Sequence, residues 1–203
     1  MTRHVALGLA AIALLTELGW LACTDGTVGP ITAAILASIA VLTITAARIV
    51  AINTVTRILV GALFAGSVAD RFGLFGTPDA PGVSWGSYSR FIDYTRTLMP
   101  STLDWAAPTV GTIATVLEAA IAVGLLLGIA TSSTARAATA LLIAFATAMW
   151  TSVGFGEMSS YGVLVVAGGT AVLGTCDTAV HLDRLFQRSA TPDGVGSVAE
   201  NPR

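Results

Sequence analysis

The sequence predicts an all-α integral membrane protein of six transmembrane helices, with an amphipathic helix on its outer face. Hydrophobic residues make up 54% of the 203 residues and charged residues only 11%, whereas soluble domains carry about 25% charged residues. The mean hydropathy is +0.80. The apolar residues gather in six runs, and arginines recur at every second connection between them.

The first run, residues 5–22, follows Arg3 and His4 and is eighteen residues long. A helix rises about 1.5 Å per residue and the hydrocarbon core is about 30 Å thick, so this run can just cross. Its basic start and its ending, Trp20-Leu21-Ala22-Cys23, also fit a secretory signal with a lipoprotein-like cleavage site. Bulky Trp20 and charged Glu17 fit that alternative poorly. Residues 29–47 form the second run, and Arg48, Asn53 and Arg57 mark the polar turn after it. The third begins at Ile58 and meets Asp70-Arg71 after twelve residues, about 18 Å of helix. Phe72, Leu74 and Phe75 prolong its apolar character, so this helix is expected to carry Asp70 into the membrane. Residues 109–130, 137–153 and 161–175 complete the six, and their short connections predict antiparallel packing.

Arginine placement orients the bundle. Arg3, Arg48, Arg57, Arg136, Arg184 and Arg188 fall on one side, while the connections 23–28 and 154–160 contain no basic residue. The positive-inside tendency then puts both termini in the cytoplasm and the loop 73–108 outside. Arg90 and Arg96 weigh little against this, because longer loops cross more freely. Trp20, Trp85, Trp105, Trp150 and the three tyrosines all fall near the outer boundary, where amphipathic rings favour the interface.

Composition also excludes several functions. A net charge of -2 and ten scattered arginines without a lysine offer no clustered basic surface for nucleic acid. His4 and His181 have no cysteine or carboxylate cluster at ligand spacing, so no metal site is predicted. Cys23 and Cys176 lie at opposite ends of their spans, too far apart for a disulfide whose Cα atoms must approach within about 7 Å. Gly124 with Gly128, and Gly168 with Gly169, are read as small residues of the bundle interior. The polar tail, residues 189–203, is expected to be disordered.

The stretch 70–118 carries what chemistry the sequence offers. From Ser84 to Met99, the residues Trp85, Tyr88, Phe91, Ile92, Thr95, Leu98 and Met99 recur at helical spacing, with Arg90, Asp93 and Arg96 on another face. This predicts a helix lying flat on the outer leaflet, capped by Ser84 and stopped by Pro100. It is read either as an interfacial anchor or as a lid. Counting helical rise puts Glu17 about 18 Å and Asp70 about 20 Å from the inner surface, and Glu118 about 14 Å below the outer one. Intramembrane carboxylates cost at least about 2.5–3.5 kcal/mol each, so they are expected to turn inward, with Arg71 or Arg57 as partners. One reading is a polar pocket that exchanges protons with a redox-active or transported ligand. The other is that these carboxylates only make packing hydrogen bonds, with Asp70-Arg71 ending a helix.

Several short motifs then resemble the DoxX family of bacterial membrane proteins. They are the run Arg57-Ile58-Leu59-Val60-Gly61, then Gly66 through Asp70-Arg71-Phe72-Gly73, and Ala80-Pro81-Gly82-Val83-Ser84-Trp85-Gly86. Phe91, Tyr94-Thr95, Pro100, Leu117-Glu118, the glycine-bounded 124–128 and Ser160-Tyr161 follow in matching order. The resemblance covers about Arg57 to Thr175 and implies a four-helix membrane bundle, residues 56–180, in a bacterial plasma membrane. The helix pair within residues 1–55 is additional to that pattern.

The resemblance further implies kinship to a subunit of thiosulfate:quinone oxidoreductase and to accessory subunits of redox or stress-defence complexes. On that reading Asp70 and Glu118 are candidate proton-handling carboxylates. Arg71, Trp85, Tyr88, Tyr94 and Glu17 are candidate ligand-binding residues, quinone is the expected cofactor, and the partners are the bilayer and a protein complex. A non-catalytic scaffold docking through the extra helix pair is the alternative. A small transporter ranks third, since no inverted repeat is visible. Nothing selects thiosulfate, because a dianion calls for converging arginines and only Arg71, Arg90 and Arg96 lie on the outer side.

Overall fold

The computed structural model describes residues 1–176, so His181, Arg184, Arg188 and the tail 189–203 lie outside the described residues. Those residues form helices α1 (Arg3–Cys23), α2 (Pro30–Ile44), α3 (Val50–Arg71) and α4 (Tyr88–Thr97). They continue with α5 (Ala107–Leu127), α6 (Thr131–Ser152), α7 (Phe155–Ser160) and α8 (Val163–Leu173). No strand occurs among the described residues. A 3-10 segment of six residues, Ser101–Ala106, leads into α5. Three stretches, Arg3–Cys23, Val50–Arg71 and Ser101–Leu127, are long and apolar enough to cross a membrane. They place the chain among membrane proteins.

The helices run as three antiparallel pairs, α1 with α2, α3 with α5, and α6 with α8. Each pair is closed at one end by an arginine. The last carbonyls of a helix have no partner within it and carry partial negative charge, which a guanidinium can satisfy. Arg3 of α1 donates to the carbonyl of Ala46, just beyond α2. Arg57 of α3 donates to the carbonyl of Leu125 at the end of α5. Arg136 of α6 donates through Nε to the carbonyl of Gly174, just beyond α8, at 3.2 Å.

Helix α8 is the centre of the packing, touching α6, α1, α2 and α3. Its two adjacent glycines face different neighbours. A Cβ on Gly168 would lie 2.8 Å from the Cα of Ala10 in α1, and one on Gly169 would lie 2.7 Å from Cγ1 of Ile39 in α2. Gly124 meets Thr134 of α6 in the same way. Gly128, which is buried as well, takes the left-handed conformation, φ 71°, and ends α5.

Three expectations are corrected by the helix boundaries. Helix α3 begins at Val50 and runs for 22 residues, so Asn53 and Arg57 lie inside it rather than in a turn. Each polar side chain donates to a backbone carbonyl there, Asn53 to that of Ala47 at 3.0 Å and Arg57 to that of Leu125 at the end of α5. The helix is therefore about 33 Å long and Asp70-Arg71 stands at its end, not part-way along it. Residue 55 lies within α3, and both α1 and α2 pack on α8. The amphipathic helix is shorter than expected and its N-cap is Ser87, whose Oγ accepts from the backbone N–H of Arg90. Ser84 lies outside it.

Candidate functional site

The last residue of α3 turns its side chain into the bundle. Arg71 donates to Oε1 of Glu118 in α5 at 2.6 Å, with 3% and 2% of the two side chains exposed. Its other terminal nitrogen, Nη1, donates to Oγ1 of Thr115 at 2.8 Å, and Nη2, which bonds Glu118, also donates to Oγ of Ser67 at 3.2 Å. The guanidinium carbon lies 3.7 Å from the centre of the Phe91 ring, a cation–π contact from the roof helix α4. Helical spacing assembles this group: Ser67 and Arg71 are four apart on α3, Thr115 and Glu118 three apart on α5. Removing two charges from water costs several kcal/mol per ion, and such a pair persists only when further hydrogen bonds accompany the Coulomb attraction. Thr115 and Ser67 supply two such bonds and the Phe91 ring adds its cation–π contact, while Nε of Arg71 stays without a partner.

Asp70 faces elsewhere. Its Oδ2 accepts from the backbone N–H of Ser84 at 2.9 Å and of Trp85 at 2.8 Å. One carboxylate thus ties the loop to the end of α3 and sets Trp85 in place. The Trp85 ring stands 4.8 Å from that of Tyr94 and 5.5 Å, edge-on, from Phe91. Helix α4 itself rests on α5 at Gly111, where a Cβ would come within 2.5 Å of Ile92 Cδ1.

Between these elements lies a cavity of about 250 Å³. Phe91, Tyr94, Thr95 and Trp85 line it from the α4 side, and Leu142, Phe145 and Met149 of α6 from across the bundle. Its charged lining residues are Arg71 and Glu118. Burial, reinforced by the charges of Tyr161 and Glu157, pushes the Tyr94 hydroxyl up to about 12. Tyr94 is therefore a neutral hydroxyl at physiological pH.

Four of the residues expected to form the site, Arg71, Glu118, Trp85 and Tyr94, come together at this cavity. Three do not line it. Asp70 anchors the loop. Tyr88 stacks on Phe72 with ring centres 5.8 Å apart and shares a hydrogen bond with Thr112 at 2.8 Å. Glu17 is 3% exposed but belongs to the face of α1 that also buries Ala6 and Ala10, and α1 packs on α8, α2 and α7. Ser67 and Thr115 were not anticipated as partners of the pair, although their positions one helical turn from Arg71 and Glu118 mark them.

The arrangement suits an apolar, ring-sized molecule with a polar edge, which the aromatic walls would sandwich and the ion pair would meet. No three His, Cys, Asp or Glu side chains among the described residues converge on a metal-sized site. No protein-family model, curated protein or solved structure matches the chain.

Proposed function

We propose that this chain is a membrane subunit of a quinone-linked oxidoreductase or redox stress-defence complex. In this reading it crosses the bacterial plasma membrane six times with both termini cytoplasmic, α4 lies on the outer leaflet, and the cavity beneath α4 holds the quinone head group. The motif order between Arg57 and Thr175 that resembles the DoxX family agrees with it.

The observation that carries the reading is a buried Arg71–Glu118 pair, 2.6 Å apart, in the wall of a largely apolar cavity of about 250 Å³. An apolar cavity of about 150 Å³ accepts benzene, so this one has room for a substituted ring, with an isoprenoid tail left in the bilayer. A bound quinone supplies two-electron, two-proton chemistry. Arg71 orients and stabilises oxygen bearing negative charge, Glu118 is the carboxylate nearest to exchange a proton with it, and Trp85 with Phe91 keeps water out. Asp70 contributes by holding Trp85 over the cavity rather than by touching the ligand.

The test is purification from the native membrane in mild detergent, with co-purified lipids and proteins read together by mass spectrometry. Stoichiometric quinone is expected, and it should be lost when Arg71 and Glu118 are both replaced by leucine in a protein that remains folded. A stoichiometric protein partner without quinone would instead assign the chain a scaffolding role.

A further inference from the structure

We infer that the space between the outer halves of α5 and α6 is a lateral portal, with Val110 and Ala148 as its lips, through which the tail of a lipid quinone runs from the cavity into the bilayer. The inference rests on the quinone reading above and adds a specificity. The ligand is a ring carrying an apolar chain, seated from the membrane rather than from water.

Helices α5 and α6 touch near the connection that joins them, where a Cβ on Gly124 would come within 2.8 Å of Thr134. Val110 lies fourteen residues before Gly124 and Ala148 fourteen residues after Thr134. Equal counts on antiparallel helices put the two lips at one level, about 21 Å from that contact. At this level the cavity itself occupies the space between the helices, since Val110 and Ala114 of α5 and Phe145, Ala148 and Met149 of α6 all line it. The cavity is partly open. Val110 is 42% exposed and Ala148 half-buried, so each lip borders both the cavity and the outside of the bundle. The outside there is apolar, with Ile113, Val116 and Ile143 exposed beside the lips.

The roof offers no comparable way in. It is tied to α3 through Asp70, to α5 through Tyr88 and Thr112, and to α6 through Ser152, whose Oγ donates to the carbonyl of Leu98 at 3.0 Å. Tyr161 is the other lining residue with a large exposed fraction, 40%. It directly follows α7, which carries the exposed Glu157. A chain leaving beside Tyr161 would pass a carboxylate, and every methylene left in water costs free energy. A chain leaving between Val110 and Ala148 stays among apolar side chains and lipid.

The experiment is equilibrium binding of decylubiquinone, and of the same dimethoxy-methyl-benzoquinone ring without a tail, to the full chain in lipid nanodiscs. Wild type is compared with Ala148→Phe, Val110→Phe and Val116→Phe. Val116 is the control, because it is 62% exposed on α5 and does not line the cavity. A phenyl ring on either lip should weaken decylubiquinone binding at least about tenfold, the size of an ordinary overpacking clash, while the tailless ring keeps its affinity within about twofold. Val116→Phe should change neither. Where only the tailed ring binds, the contrast between the lips and Val116 decides. The lips stand on separate helices, so one variant decides if the other does not fold. Unchanged decylubiquinone affinity in a folded lip variant, an equal loss for the tailed and tailless rings, or the same loss in Val116→Phe overturns the portal and leaves the quinone site standing. Failure of decylubiquinone to bind the wild type overturns the proposed function and the inference together.

Discussion

Arg71 and Glu118, 47 residues apart in sequence, meet at 2.6 Å across the contact between α3 and α5. The pair sits where the end of one helix passes the middle of another, so the long arginine side chain reaches back along α5. Thr115, Ser67 and Phe91 surround the guanidinium, and removing either charge leaves the other buried without its counter-ion.

Arg71→Leu alone is expected to destabilise the protein by about 3–5 kcal/mol, because Glu118 then remains as an unpaired buried carboxylate. Arg71→Leu with Glu118→Leu should recover most of that loss. Thermal unfolding in detergent checks it: a double variant less stable than both singles would mean that the two residues do not act as a pair.

Asp70 holds two backbone N–H groups of the loop, and hydrogen bonds to a charged group contribute about 1.5–3 kcal/mol each. In Asp70→Ala the amides of Ser84 and Trp85 should exchange with deuterium markedly faster, while those of α6 keep their wild-type rates. Asp70→Asn, which retains one acceptor oxygen, should show a smaller change. Unaltered exchange at both amides would refute the anchoring role.

Gly168 lets α1 lie directly against α8, and an added methyl would meet the backbone of Ala10 at 2.8 Å. Gly168→Ala should cost about 1–3 kcal/mol, the usual range for overpacking. Gly19 in α1 has nothing within 4 Å of its missing Cβ, so Gly19→Ala should lower the unfolding temperature not at all. Equal effects of the two changes would show that the α1–α8 contact is looser than drawn.

Tyr94 ties stability to alkaline pH. The folded protein keeps the phenolic proton up to about 12, while the unfolded chain releases it near its ordinary value of 10.0. Between those values the unfolded state binds fewer protons, so stability falls as pH rises through the window and is intact below it. Denaturation midpoints measured across this range should decline in the wild type and decline less in Tyr94→Phe. Parallel curves would place the alkaline loss in another group.

Where polarity and helix ends coincide, the sequence reads well. Apolar runs locate both ends of α1 and α5 within three residues, and the end but not the start of α6. Where a polar residue sits inside a helix, the reading fails, as at Asn53 and Arg57, whose partners are backbone carbonyls that become neighbours only once the chain has folded. That misplaced start shortened α3 by eight residues, and with it the helical rise counted to Asp70. Arg71 and Arg57 are the two partners the sequence offers for the intramembrane carboxylates, and Glu118 takes Arg71. The direction in which Glu17 and Asp70 point was not legible, since one carboxylate per helix sets a height but not an angle. Ser84 and Ser87 are equally plausible caps by composition. The loop decided between them when Asp70 took the N–H of Ser84.

The three arginines that close the helix pairs bear on biogenesis. Arg3, Arg57 and Arg136 each lie early in the first helix of a pair, and each donates to a carbonyl at the far end of the second. A pair is thus locked only when its final residue has been synthesised, and the lock needs nothing from the pairs that follow. Each hairpin can therefore close on itself as soon as its second helix is made, with its cation held on the backbone of its own returning helix.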